Sequence, residues 1–188
     1  MLILGSQSPR RKEILEMAQI PFKVVVSNAN EDVIEDNPVE FVKKVAYKKA
    51  SNIINLYPND CVLCCDTIVY IDEEILGKPK NKDEAFKMIN LIQGRTHLVC
   101  TGVYIGNKNE YDLFTVKTKV HVSSMKKEEI EDYINTTEPY DKAGAYAIQG
   151  IFAKYIDKID GDYYNVMGLP LCEINKKLYK YRVIGGIK

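Results

Sequence analysis

Short apolar runs alternate with helix-opening signals from one end of this chain to the other. Leu2 to Leu4 predicts a short buried strand. The helix after it opens with Ser8 as N-cap and Pro9 at the first helical position, where a missing N–H goes unnoticed. Phe22 to Val26 predicts a second strand. Asn37-Pro38-Val39-Glu40 has the form of a capping box with proline at its first position and opens a helix to about Leu56. Cys61 to Tyr70 is rich in apolar and β-branched residues and predicts strand, with Asp66-Thr67 ending its first apolar run and preceding a further apolar stretch, and Asp72-Glu73-Glu74 before Ile75-Leu76 predicts a tight connection to another strand. Asn81 can cap a helix that Gly94 ends. From Thr96 to Val122 two strand-like stretches flank Gly106-Asn107-Lys108-Asn109 as a hairpin. A helix over about Lys126 to Asn135 follows, then a polar loop, a strand from Ile151 to Ile159 turned by Asp160-Gly161, and a closing helix over Leu171 to Tyr181. Strands mixed with helices predict an α/β protein with a mixed sheet. With no linker, repeat or long charge block between them, residues 1–188 read as a single domain.

Composition narrows the partners more than the fold. At 46% hydrophobic and 28% charged the chain matches an ordinary globular protein. Its longest uninterrupted apolar run, Cys61 to Cys65, falls far short of the ~20 residues that span a membrane, so no membrane association is expected. Five Cys is an odd number in a chain long enough to build its own core, which points to reduced thiols and a cytoplasmic location. The 26 Lys and Arg balance 26 Asp and Glu to a formal net charge of zero. A general nucleic-acid binder needs a standing excess of cations to displace phosphate counterions, so no nucleic-acid partner is expected. Of the 26 cations only four are Arg, and two of them, Arg10 and Arg11, are neighbours.

That pair lies in Gly5-Ser6-Gln7-Ser8-Pro9-Arg10-Arg11-Lys12, which joins a strand to a helix N-terminus. Free N–H groups and the positive end of the helix dipole make such a junction an anion site. Three consecutive cations there oppose the dipole by ~0.3–1 kcal/mol apiece when exposed, a misplacement that a bound polyphosphate would relieve. A capped helix with a solvated first turn is the alternative. Asp66-Thr67, at the exit of a buried strand, suits metal binding or proton transfer from water, unless it is a turn carboxylate. In Gly77-Lys78-Pro79 the glycine permits close backbone approach to a ligand and the lysine carries a point charge to it. Glu138-Pro139-Tyr140-Asp141-Lys142-Ala143-Gly144-Ala145-Tyr146, continuing to Gln149-Gly150, suggests a closely packed loop beside a ligand or a tight connection. Asn165-Val166-Met167-Gly168-Leu169-Pro170 leaves the same two readings open. Glu31-Asp32 reads as a carboxylate pair for a divalent cation or as a solvated turn. Cys61 and Cys64 have C-x-x-C spacing, but residues three apart on a strand face opposite ways and cannot share a zinc ion. His97 and His121 lack helical pair spacing, and no P-loop occurs.

Taken together, these segments resemble the Maf family of nucleoside triphosphate pyrophosphatases from Leu2 to about Leu178. The opening Leu-Gly-Ser-Gln-Ser-Pro-Arg-Arg is similar to the family's N-terminal signature. Asp66-Thr67, Gly77-Lys78-Pro79, Gly94-Arg95-Thr96-His97, Thr101-Gly102-Val103, Asp141 to Tyr146, Gln149-Gly150 and Gly161-Asp162-Tyr163 through Pro170 follow in family order. Cys65 stands where the family commonly has Ala or Gly. The resemblance implies a twisted mixed sheet flanked by helices, with two lobes around a central cleft as in inosine triphosphatases. It implies hydrolysis of a nucleoside triphosphate to the monophosphate and pyrophosphate. It makes Asp66 the proton acceptor and matches Ser8, Arg10, Arg11, Glu31, Lys49 and Lys78 to the phosphate and metal site. Arg10, Thr67 and Gln149 match positions linked to preference for dTTP and UTP over methylated GTP. A homodimer is compatible with such a fold.

The chemistry follows from the substrate. A triphosphate repels a nucleophile, so a site must neutralise it and hold water in line with the scissile bond. Arg10, Arg11, Lys49 and Lys78 are expected to hold the phosphates, with Ser8 and loop N–H groups donating hydrogen bonds. Mg2+ or Mn2+, with Asp66 and Glu31 as ligands, is the expected cofactor, because hard oxygen donors suit those ions and no His/Cys set is present. Two rivals remain: a nucleotide-binding regulator of cell division without turnover, and a pyrophosphatase for 7-methyl-GTP or noncanonical purine triphosphates.

Overall fold

A computed structural model of the chain describes residues 1–183 except Asn28, Asn30 and Glu31. Its elements run β1 (Leu2–Leu4), α1 (Pro9–Met17), β2 (Phe22–Val24), α2 (Pro38–Leu56), β3 (Cys61–Ile71), β4 (Glu74–Leu76), α3 (Lys82–Ile92), β5 (Thr96–Gly106), β6 (Tyr111–Val122), α4 (Lys127–Ile134), β7 (Ile156–Asp160), α5 (Tyr163–Met167) and α6 (Leu171–Lys180), with short 3-10 turns between α4 and β7. The strands form one mixed sheet in the order β2-β1-β3-β5-β6-β7, with β4 also paired to β3. β1 runs parallel to both β2 and β3, in the register Leu2↔Phe22 and Leu2↔Cys61. β4 and β7 pair antiparallel to β3 and β6. This is the mixed α/β class the alternating pattern predicts.

The chain divides into two compact units. The first comprises residues 1–66, 101–116 and 168 onward, and the second residues 67–100 and 117–167. In the first unit α2 opens as its sequence predicts, with Asn37 Oδ1 accepting from the N–H groups of Val39 and Glu40. The reciprocal half of the capping box differs. The Asn37 N–H donates to Glu35, and Glu40 pairs instead with Lys43 one turn on. Val42, Val45, Ala46, Ala50 and Ile53 make a buried stripe at helical spacing. Close packing of α2 on β5 requires glycine at Gly102, since a Cβ there would lie 2.3 Å from the Val42 carbonyl oxygen. Ile3, Ala46, Ala50, Ile53, Val62, Cys64 and Tyr104 pack into one core cluster.

The second unit has its own core, in which Ile89 and Ile92 of α3, Val99 of β5, Ile130 and Tyr133 of α4, and Phe152 are all nearly inaccessible. Asn81 caps α3 by accepting from the Glu84 N–H. Asp72 and Glu73, at φ 49° and 66°, form a two-residue turn joining Ile71 to Glu74, a left-handed pair that suits the twist of a hairpin. Residues Ile151 to Tyr155, expected as strand, form a 3-10 turn, and β7 begins only at Ile156. The cause is a carboxylate remote in sequence: Glu138 accepts hydrogen bonds from the Ile151 and Phe152 N–H groups, which a sheet ladder would otherwise use. No helix among the described residues is long and apolar enough to cross a membrane.

Candidate active site

The loop from β1 into α1 gathers the first set of polar groups. Ser8 occupies the N-cap position with φ −56° and ψ 120°, yet its side chain makes no capping bond. The Ser8 N–H instead donates to Ser6 Oγ at 3.2 Å, a turn contact just ahead of the helix. Arg10, Arg11 and Lys12 fill the first turn, which holds no acidic residue, and all three are half-buried. Arg11 is fixed at both edges of its guanidinium. Nε donates to the Gly168 carbonyl at 2.8 Å and Nη1 to Ser6 Oγ at 3.1 Å. Gly168, at φ 103°, turns that carbonyl out of the loop between α5 and α6. An arginine oriented in advance loses less side-chain freedom when it meets a second acceptor.

Lys49 and Asp66 form the second set. Lys49 lies three residues after Ala46 and four after Val45, so it shares the buried face of α2 and must run its aliphatic stem along the core. Its Nζ donates to Asp66 Oδ1 at 2.8 Å, and the two side chains are only 12% and 16% exposed. Asp66 does not end its strand. β3 continues through Thr67 to Ile71, so the carboxylate projects from mid-strand, after five consecutive buried residues. The β-branched and aromatic run Thr67-Ile68-Val69-Tyr70 keeps the backbone extended past the charge.

The two sets act on one neighbour. Cys65, wholly buried beside Asp66, is pushed up to about 11, by burial first. The charges of Arg11 and then Lys49 pull it down, and that of Asp66 pushes it up. Cationic side chains from α1 and α2 and the carboxylate from β3 thus lie close enough to act on a single thiol within the first unit.

Thr67, Lys78 and Gln149 belong to the second unit. Lys78 is exposed beside buried Pro79, and a Cβ built on Gly77 would meet nothing within 4 Å. The protein's own packing therefore does not call for glycine at that position. Gln149 is exposed at the end of the buried run Ala145 to Ile148. His97 is buried, with Nε2 2.7 Å from the Tyr146 hydroxyl, and desolvation followed by the His121 charge lowers it to about 4. Asn165, within α5, is a structural residue. It is fully buried and donates to Thr118 Oγ1 at 3.0 Å and to the Val99 carbonyl at 3.3 Å.

Glu31 lies outside the described residues. Among the residues described, no group of three or more His, Cys, Asp or Glu side chains is placed to hold a metal ion. The single carboxylate of Asp66 nonetheless fits a hard cation that takes its other ligands from phosphate oxygens and water, as Mg2+ commonly does. Ser6, Gly168 and Glu138 lie within segments that the sequence marks as candidates, but no sequence signal assigns any of them a role of its own. Ser6 is 8% exposed, a buried hydroxyl in a short polar loop, and only its partners reveal its role.

A profile described as Maf-like protein matches residues 1–181. The dTTP/UTP pyrophosphatase of Acholeplasma laidlawii is 45% identical over 190 residues, covering all of both chains. The dTTP/UTP pyrophosphatase of a Geobacillus species is 47% identical over 90% of this chain and 92% of its own, and that of Thermosipho africanus 43% over 92% and 89%. A solved structure of the Staphylococcus aureus Ham1 protein aligns with 82% of this chain and 92% of its own at TM-score 0.49 and 11% identity, a likeness that adds nothing to the fold described above. With the profile spanning nearly its whole length, the chain belongs to the Maf family.

Proposed function

We propose that this protein is a nucleoside triphosphate pyrophosphatase that hydrolyses dTTP and UTP to the monophosphate and pyrophosphate, an activity that clears nucleotide pools. The observation that carries the reading is the largely buried Lys49–Asp66 pair, whose neighbourhood also holds Arg11. It is supported by relatives of similar length that bear the same activity in their names.

In this reading Arg10, Arg11 and Lys49 meet the phosphates, with Ser8 and the N–H groups at the start of α1 donating further bonds. Lys49 exchanges part of its interaction with Asp66 for phosphate oxygen, and the released carboxylate oxygen holds the attacking water. An isolated carboxylate of pKa ~3.9 is a weak base toward free water. A bound Mg2+ or Mn2+ supplies positive charge at the phosphates and makes water a stronger acid. Asp66 then orients the water toward the α-phosphorus and accepts its proton at a carboxylate oxygen. Lys78 is assigned a phosphate contact. Thr67 and Gln149, with Arg10, are assigned the base preference, since an amide offers a donor and an acceptor to the adjacent carbonyl and N–H of uracil or thymine.

The test is a panel of dTTP, UTP, CTP and 7-methyl-GTP with pyrophosphate detection, with and without added Mg2+ or Mn2+. The expected result is pyrophosphate from dTTP and UTP, dependent on divalent metal. A clear preference for the methylated purine would overturn the substrate assignment, and nucleotide binding without pyrophosphate release would overturn the enzyme assignment.

A further inference from the structure

The second unit contains a carboxylate with no place in the chemistry above. Glu138, at the start of the 3-10 turn Glu138–Asp141, is half-buried and turns its carboxylate onto the backbone that follows Gln149. Its Oε2 accepts from the Ile151 N–H at 2.7 Å, and its Oε1 accepts from the Phe152 N–H at 3.1 Å. The Tyr133 hydroxyl lies 3.1 Å from Oε1 and 3.0 Å from the Ala145 carbonyl, so it can donate to the carboxylate or to the start of the segment. Gly150 leaves the room for this. A Cβ there would sit 2.0 Å from Oε2, so any other residue would drive the carboxylate off its partners.

The same segment is held from its other side. Tyr146 is buried, its hydroxyl meets His97 Nε2 at 2.7 Å, and its ring packs on Phe152 at 5.0 Å between centroids. Residues Ala145 to Ile148 are buried, Ile151 and Phe152 are clamped, and Gln149 between them is exposed. A carboxylate that accepts two consecutive N–H groups makes strong charge-assisted bonds and fixes the direction of that backbone.

We infer that Glu138 is a positioning residue for Gln149, setting the direction of the amide that reads the pyrimidine base. The inference rests on the reading that Gln149 contacts the base. Glu138 touches neither phosphate nor attacking water, so its loss affects recognition and leaves the chemical step in place.

The test compares Glu138→Gln, Glu138→Ala, Gly150→Ala and Gln149→Ala, alone and paired with Glu138→Gln, in the full-length protein across UTP, dTTP and 7-methyl-GTP. Glu138→Gln keeps one acceptor oxygen and should raise KM for UTP and dTTP roughly tenfold, with kcat within about twofold, as expected when the Gln149 amide loses its set direction and with it about one hydrogen bond to the base. Glu138→Ala should do more, Gly150→Ala should reproduce Glu138→Gln, and 7-methyl-GTP kinetics should not move. In the Gln149→Ala background the Glu138→Gln effect should vanish, because residues acting through one another are not additive. Additive losses, or an equal fall in kcat for every triphosphate, would overturn the inference. Amide exchange over residues 145–152 gives a readout without turnover. Faster exchange confined to that segment in Glu138→Gln is expected, and unchanged exchange overturns the clamp. If the unaltered protein turns over no pyrimidine triphosphate, the parent reading fails and the base-reading role with it, while the exchange result still decides whether Glu138 holds the segment.

Discussion

Strand β3 carries one aspartate within it and another immediately after it, and each meets a cation. Asp66 pairs with Lys49 at 2.8 Å, with the side chains 16% and 12% exposed. Asp72 pairs with Arg95 at 2.6 Å, with the side chains 52% and 43% exposed. The distances are alike and the surroundings are not. Water screens the Asp72 pair, and such surface pairs contribute little. The Arg95 hydrogen bond still holds the Asp72 carboxyl below its ordinary value, so a perturbed titration does not by itself mark a working group. Asp66 is set among buried residues with Arg11 in its neighbourhood, where charges interact more strongly and a displaced partner matters. Burial and convergence of charges, rather than ion-pair distance, separate the candidate catalytic carboxylate from the decorative one.

The largest expected effect falls on this contrast. Asp66→Asn should lower kcat for dTTP by about 10²–10⁴, the usual contribution of a positioned acid or base, while Asp72→Asn should leave it unchanged. Steady-state rates at saturating Mg2+ check both, and equal rates for the two variants would erase the distinction. Lys49→Met should cost both binding and stability, because it leaves a mostly buried carboxylate without its partner. KM for dTTP should rise by roughly tenfold or more, and the melting temperature should fall by several degrees. The corresponding Arg95→Met should shift the melting temperature by no more than about 2 °C. A comparable shift in both variants would show that the difference in burial has no energetic consequence.

Acid should expose a buried group that belongs to neither ion pair. His97 titrates near 4 in the folded protein and near 6.5 when unfolded, because burial disfavours its charged form. Between those values the unfolded chain binds the extra proton. Stability is therefore intact above about pH 6.5 and falls as pH drops toward 4, by up to about 1.4 kcal/mol per pH unit. Urea unfolding across that window should show the slope, and His97→Phe should remove it even if its overall stability is lower. Smaller still is the effect at Asp112, where partial burial raises the carboxyl but hydrogen bonds from Tyr181, Lys180 and Lys177 outweigh it and bring it down to about 2. The stability from this cluster is present above about pH 4 and should be lost only as pH falls toward 2. Asp112→Asn should flatten the unfolding curve in that range alone.

Local signals made much of the fold legible. Asn37-Pro38 marks the start of α2, Asn81 that of α3, and Gly106-Asn107 the β5–β6 turn, because each depends on residues next to it in the chain. What was not legible depended on partners far away. Ile151 to Tyr155 has a strand-like composition, and only Glu138, folded back on it, captures the N–H groups that would have joined the sheet. Ser8 fits the N-cap pattern but its side chain makes no capping bond, while Ser6 Oγ accepts from the Ser8 N–H and from Arg11 across the turn. Asp66 was recognisable as the candidate carboxylate, and the Lys49 contact bridges 17 residues of sequence through helical spacing that the stripe at Val45 and Ala46 makes visible afterwards. Its mid-strand placement was missed because a charge after an apolar run looks like a strand end, although the β-branched residues beyond it carry the strand on.

The most direct test is hydrolysis of UTP in water enriched in 18-oxygen, with both products identified by mass. Attack on the α-phosphorus with Asp66 accepting the proton predicts unlabelled pyrophosphate and one labelled oxygen in UMP, with both products suppressed in Asp66→Asn. Release of orthophosphate, label in the pyrophosphate, or undiminished turnover by Asp66→Asn would contradict the account.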